Sequence, residues 1–290
     1  MPASDEPFLP AAMDEPRERS FLQVDVFTPK EYLGNPVAVV LDAEGLSDEQ
    51  MRRLATWTNL SETTFVLPPT DPAADYRVRI FCLSTELPFA GHPTLGTAHA
   101  WLSAHPGHQG SVIQQCEAGL VPVRRTPYGL AFQAPPVVRS GPVEPQVAQH
   151  VASVLNLRAE EVLDSQWVDN GPGWVALLLA DADAVLAVRP AATDCYAGVV
   201  GFYPPGSELA YEVRAFFPKD GTTAEDPVTG SLNASLAQWL VPAGRARPPY
   251  VAGQGAALGR RGRVHVEQAG DGAIWVGGGT VTCIAGTVLI

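Results

Sequence analysis

The two halves of this chain repeat one another, and that constrains the fold more than any single motif. "PVAVVLDA" around Val37 matches "WVALLLADA" around Val175, 138 residues later. "VRIF" at Arg79 matches "VRAF" at Arg214, 135 later, and Pro93 in "HPTLGTA" matches Pro227 in "DPVTGSL", 134 later. Three matches in one order at near-equal offsets imply an internal duplication. With only two copies, the chain builds two related domains rather than a solenoid. Two such domains facing each other form a cleft on a pseudo-twofold axis, where small-molecule sites tend to lie.

A length of 290 residues suits two ordinary domains, and 46% hydrophobic against 17% charged residues fits core-forming ones. Residues 1–20, proline-rich and acidic, read as a disordered tail; they lack the basic and apolar regions of a signal peptide. The expected domains are residues 21–135 and 136–290, with the final strand able to return to the first. "LQVDVFT", "SETTFVLP", "YRVRIF" and "YEVRAFFP" alternate like strands. Ser47 with Gln50 three residues on forms a capping box for a helix over 46–60. Helices are also expected over 94–105, over "VAQHVASVLN" and over 228–240.

Charge excludes some partners. Lys plus Arg number 19 against 31 acids, a net charge of -12 that repels phosphate backbones and anionic membranes. Neither nucleic acid nor membrane is an expected partner. The longest apolar run, 174–188, is broken by Asp181 and Asp183 and is too short for a bilayer. Cys82, Cys116, Cys195 and Cys283 form no CxxC pair and read as buried thiols of a cytoplasmic protein. The six histidines show no HxxxH or HExxH spacing, so no metal is expected. "GPGWV" and "GGGT" lack the GxGxxG spacing of a dinucleotide loop, and "GRRGR" (259–263) reads as a solvated basic turn.

The two helix starts carry more information. A helix N-terminus leaves backbone N–H groups without intrahelical partners and holds roughly half a positive charge. Read in the 134-residue register, Gly96 and Gly230 clear space in the first turn, while Thr97 and Ser231 add hydroxyl donors. That combination suits a carboxylate. Asp226 before Pro227 also reads as an ordinary N-cap, and His92 as a core histidine. Glu62, at the start of an apolar strand, is either an exposed edge residue or a partly desolvated acid with a raised pKa.

"NLSETTFVLP", "ELPFAGHPTLGTAHAWL" and "EDPVTGSLNASLAQWL", following "VDVFT" and "GNPVAVVLDA", resemble the PhzF family of phenazine-biosynthesis-type isomerases from about residue 21 onward. The resemblance implies an α+β, diaminopimelate epimerase-like fold: two pseudo-symmetric domains, each a β-barrel-like sheet around a central helix. It implies a homodimer. It assigns the catalytic acid/base to Glu62, with His92 and Asp226 beside it. Ser61, Gly91, Gly230 and Ser231 become substrate-binding residues. The implied chemistry needs no cofactor: Glu62 moves a proton, and with it double bonds, on a small carboxylic acid. Related epimerases use two thiols at these helix starts, where this chain has no cysteine. A binding protein without turnover, or an amino-acid racemase, are the alternatives on the same fold.

Overall fold

The computed structural model describes residues 16–83, 85–219 and 221–290; most of the expected tail lies outside them. The first half contains β1 (Glu18–Val26), β2 (Asn35–Val40), α1 (Asp48–Thr58), β3 (Glu62–Leu67), β4 (Tyr76–Cys82) and β5 (Thr85–Leu87). It continues with α2 (Gly91–Ala104), β6 (Val112–Cys116), β7 (Gly119–Thr126) and β8 (Gly129–Gln133). After β9 (Arg139–Pro142), the last strand of the first half, the second half runs through α3 (Pro145–Val154), β10 (Asp164–Asp169), β11 (Val175–Leu178), α4 (Ala182–Ala187) and β12 (Ala197–Phe202). Then come β13 (Tyr211–Lys219), β14 (Thr222–Asp226), α5 (Gly230–Leu240), β15 (Tyr250–Gln254), β16 (Gly262–Gln268), β17 (Ile274–Gly278) and β18 (Thr280–Leu289). The folded chain starts before the expected boundary at 20, because β1 needs residues 18–20 to pair with Leu289, Val288 and Thr287 of β18.

Strand pairing repeats in detail. The first half runs β1–β2–β3–β4–β6–β7–β8 and the second β10–β11–β12–β13–β15–β16–β17. The parallel pairs fall at equivalent places: β2–β3 with β11–β12, and β4–β6 with β13–β15. The halves are tied together three times. β8 pairs with β17, β18 crosses to β1, and β9 crosses to β10.

Each sheet curls around one helix. α2 packs on β1, β2, β3, β6 and β8, and α5 on β10, β16 and β17. Both helices are apolar on nearly every side, as Leu95, Ala98, Ala100 and Leu102, or Leu232, Ala234, Leu236 and Leu240, are all buried. The capping box of α1 is present, with Ser47 and Gln50 bonded reciprocally. A bidentate ion pair is duplicated too. Arg79 grips Glu86 and lies over Phe81, while Arg214 grips Glu225 and lies over Phe216.

The register of the repeat at the helices differs from the one read in sequence. α2 begins at Gly91 and α5 at Gly230, so these glycines are equivalent and His92 corresponds to Ser231. Pro93 is the third helical residue, whereas Pro227 precedes α5 by three. Packing sets this register. A Cβ on Gly91 would lie 2.9 Å from Gly230 Cα, and one on Gly230 would lie 2.9 Å from Gly91 Cα. The two helix starts abut backbone to backbone. Gly96 opens nothing to a ligand: its Cβ would lie 2.3 Å from Val37 Cγ1. Thr97 donates its hydroxyl to Thr64 Oγ1 at 2.8 Å inside the core. Asp226 is the last residue of β14, and the N-cap of α5 is Thr229. Of the cysteines, only Cys116 is buried; the others are part-exposed, and all four are free.

Because backbone cannot move aside as a side chain can, Gly230→Ala is expected to cost about 1–3 kcal/mol of overpacking strain. Gly107→Ala, with open space around the added carbon, serves as the control. Urea unfolding checks this: the Gly230 variant loses midpoint and the Gly107 variant does not.

Candidate active site

Three elements deliver three ionisable groups to the point where the helices meet. Glu62 is the first residue of β3, entered from the left-handed C-cap Asn59 of α1 through the bend at Ser61. His92 is the second residue of α2 and is 4% exposed. Asp226 closes β14. His92 Nε2 lies 3.3 Å from Glu62 Oε2, and both atoms are buried with no other polar partner among the described residues.

Asp226 is better supplied with donors. The Thr229 hydroxyl donates to Oδ2 at 2.6 Å and Asn35 Nδ2 donates to Oδ1 at 2.8 Å. Gln254 holds this corner: its Oε1 accepts from the Thr229 and Asn233 amides, and its Nε2 donates to the Asp226 carbonyl. Asn35, fully buried at the start of β2, crosses from the first half to the second, since its amide also donates to the Val228 carbonyl at 2.9 Å.

These contacts divide the protonation states. Burial pushes the Glu62 carboxyl well above its ordinary value, and the neighbouring Asp226 charge pushes it further. Burial also raises Asp226, to about 6, but the Thr229 and Asn35 donors pull it back. With no donor of its own, Glu62 therefore holds the proton of the pair, and Asp226 carries the charge. Burial lowers His92 to about 3, opposed by the Pro36 carbonyl. The imidazole is neutral. Asn35 Nδ2 has two protons, and the two shorter contacts use them, so the 3.3 Å approach to His92 Nδ1 is left unserved. This assigns the ring proton to Nδ1, facing Pro36, and leaves Nε2 to accept from protonated Glu62.

The remaining expected residues also gather here. Gly91 and Gly230 form the helix–helix contact. Ser231 is the second residue of α5, and its hydroxyl accepts from Trp174 Nε1 at 3.1 Å, leaving its own proton free to donate. Ser61 sits half-buried in the bend before Glu62. The two helix ends are unequal: the first turn of α5 offers the N–H groups of Gly230, Ser231 and Leu232, whereas Pro93 removes one from α2.

The strand register reveals what replaces Glu62 in the second half. Thr63 pairs with Phe81, which places Glu62 next to Cys82 across the ladder. Ala197 pairs with Phe216, which places Tyr196 next to Phe217, their rings 6.2 Å apart and nearly parallel. Since Phe81 and Phe216 match through their arginines, Tyr196 stands where Glu62 stands. Tyr196 meets Trp174 edge-on at 5.3 Å, completing an aromatic wall beside Ser231. Burial above all pushes the Cys82 thiol up to about 12, so it stays protonated.

Comparison with known proteins fits this arrangement. A family model described as phenazine biosynthesis-like protein (PhzC-PhzF) matches residues 24–286. The chain belongs to the PhzC-PhzF family. Named members include the trans-2,3-dihydro-3-hydroxyanthranilate isomerase of Pseudomonas aeruginosa, 33% identical to this PhzF-family chain over 87% of it and 91% of the relative. The antisense-enhancing sequence 1 protein of Schizosaccharomyces pombe is 32% identical over 94% of this chain and 99% of its own. The structure of a "predicted epimerase" from Pseudomonas aeruginosa superposes with a TM-score of 0.78 at 27% identity, covering 94% and 99% of the two chains. Membership makes the PhzF-family chain an isomerase with the α+β, epimerase-like fold.

Sequence reasoning missed Asn35, Thr229, Gln254 and Trp174. For Asn35 the usable signal is an amide at the mouth of a buried strand. In "GRRGR" Gly259 and Arg261 are exposed, while Arg260, half-buried, donates to the Tyr32 and Gly34 carbonyls and clamps the loop that delivers Asn35.

The buried proton has a consequence for stability. Folded Glu62 is neutral, while in the unfolded chain it ionises above its ordinary 4.5, so the folded state holds the extra proton and loses stability as pH rises. Asp226 acts in the same direction only between 3.8 and about 6. His92 acts oppositely, since the unfolded ring protonates below 6.5 and the folded one only near 3. Above pH 6.5 the Glu62 effect is left alone. The stability of Glu62→Gln relative to the parent is expected to rise from pH 6.5 to 8, by at most about 1.4 kcal/mol per pH unit. Urea titrations at both pH values check it; a gap that stays flat contradicts the assignment.

Proposed function

We propose that this protein is a cofactor-independent isomerase that moves a proton, and with it double bonds, on a small carboxylic acid. The carrying observation is the pair of carboxyl groups set around the buried His92, Asp226 supplied with two donors and Glu62 Oε2 buried with none but the 3.3 Å approach to the ring. A desolvated carboxylate is a strong base, and its acid form returns a proton readily; a pKa displaced toward neutrality matches both tasks. In this reading Glu62, in its ionised form, takes a proton from an activated carbon and returns it at another carbon of the same molecule. His92 Nε2 orients the carboxyl, and the Asp226 charge holds its pKa up. The substrate carboxylate lies at the first turn of α5, against the N–H groups of Gly230 and Ser231 and the Ser231 hydroxyl, with Ser61 and Gly91 flanking it.

A binding protein without turnover gains nothing from Glu62, whose Oε2 is buried with only a 3.3 Å contact and costs stability. A racemase using two thiols needs a cysteine at each helix start; here those places hold His92 and Ser231.

The Pseudomonas aeruginosa relative's substrate, trans-2,3-dihydro-3-hydroxyanthranilate, is a suitable probe. In deuterated water the parent enzyme is expected to isomerise it with solvent deuterium incorporated at carbon. Glu62→Gln should slow this by about 10²- to 10⁴-fold. Undiminished incorporation by the variant would remove Glu62 from the acid/base role. Ser231→Ala should raise KM several-fold while kcat changes little, because it removes a donor to the unreactive carboxylate; an unchanged KM places the carboxylate elsewhere.

The reading includes a homodimer. β18 is an outer strand bearing exposed Ile284 and Leu289, and no charged residue occurs from Trp275 to Ile290. Sedimentation equilibrium at the mass of a single chain would exclude it.

A further inference from the structure

We propose that His150, Asp194 and Cys195 form a surface site for a divalent metal ion of the zinc class, separate from the Glu62–His92–Asp226 centre. His150 is on α3; Asp194 and Cys195 lie in the loop entering β12. Their ligand atoms all fall within 4.8 Å of one another. No local spacing announces this, because the histidine is 44 residues from the aspartate. Packing of α3 on β11 brings them together.

Asp194 is the hub. His150 Nε2 lies 2.7 Å from its Oδ1, and the Cys195 sulfur lies within 4.8 Å of both groups. Neither arginine nor lysine pairs with Asp194 among the described residues, whereas Asp42, Asp48, Glu86 and Glu144 each have an arginine. A metal ion takes the place of the His150–Asp194 hydrogen bond, the neutral ring keeping its proton on Nδ1, and of the thiol proton, which is released. The loop is already fixed in shape. The Thr193 hydroxyl donates to the Cys195 carbonyl and accepts from the Cys195 amide, and the Thr193 amide donates to Thr223 Oγ1 of β14 at 2.8 Å.

The donors are one imidazole nitrogen, one carboxylate oxygen and one sulfur. That set selects zinc or cobalt over magnesium or calcium, which prefer oxygen alone. Binding balances as Cys–SH plus M²⁺ giving Cys–S–M⁺ plus H⁺, with water in the fourth position. Around a tetrahedral ion with ligand bonds of about 2.0 Å the nitrogen and oxygen stand roughly 3.3 Å apart. The 2.7 Å contact must therefore open slightly, and the His150 and Asp194 side chains, 50% and 72% exposed, are free to do so. Tyr196 follows directly, so an ion here stiffens the aromatic rim of the cleft without entering it.

Titration of the metal-free full chain with cobalt tests this. One equivalent should produce a near-ultraviolet thiolate-to-cobalt charge-transfer band and four-coordinate visible bands, both removed by zinc. Cys195→Ser should abolish the charge-transfer band, and a triple serine variant at Cys82, Cys116 and Cys283 should keep it. His150→Gln should weaken cobalt binding by about tenfold or more, since even outer-shell losses cost that much. In a second measurement, zinc should slow maleimide alkylation at Cys195, read by mass spectrometry, in the parent and not in His150→Gln. Absence of the band at saturating cobalt, its persistence in Cys195→Ser, or equal alkylation with and without zinc overturns the proposal.

Discussion

Everything at the centre of this molecule follows from two helices meeting head to head. The first residues of α2 and α5 approach until only glycine fits on either side. Each helix start carries roughly half a positive charge and unpaired N–H groups, so placing two together in the interior is electrostatically unfavourable by itself. Anionic groups relieve it. Asp226 is one; burial raises its carboxyl, and the Thr229 and Asn35 donors hold it at about 6. His92, desolvated by burial, stays neutral. A substrate carboxylate is a second natural counter-charge, in a chain whose overall charge of -12 would otherwise turn it away.

Duplication supplies the geometry, and departures from symmetry supply the chemistry. Glu62 has Tyr196 as its counterpart, and His92 has Ser231. One half thus contributes the acid and its orienting ring; the other contributes hydroxyl and backbone donors with an aromatic wall. Pro93 strengthens the division by taking an N–H away from α2 and leaving α5 as the better anion site. The duplicated arginine–glutamate pairs, Arg79–Glu86 and Arg214–Glu225, remain alike because they fix β4 to β5 and β13 to β14, a task common to both halves.

Much of this was legible in the sequence, for identifiable reasons. Strands with alternating or β-branched runs and the Ser47–Gln50 cap are local signals, and the structure contains them. The convergence of Glu62, His92 and Asp226 was reachable through long motifs. The register of the helix starts was not, because matching Pro93 to Pro227 weighs residue identity, whereas Cα-to-Cα packing of Gly91 on Gly230 sets the true alignment. Asn35 and Gln254 stayed hidden for a related reason. Their importance comes from partners 191 and 25–28 residues away, which no local pattern encodes.

The crossing strands have an evolutionary meaning. β9 leaves the first half to pair with the opening strand of the second, and β18 returns to pair with the opening strand of the first. Each half therefore lends its last strand to the other. Two separate copies of a half-length ancestor exchanging their terminal strands would make the same set of pairings. Fusion then needed only a short connection, and the ends left over lie side by side, Arg17 and Ile290 bonded through both backbone groups. The present chain has the topology of a strand-swapped dimer made permanent, and once joined, its two copies could change independently where their helix starts meet.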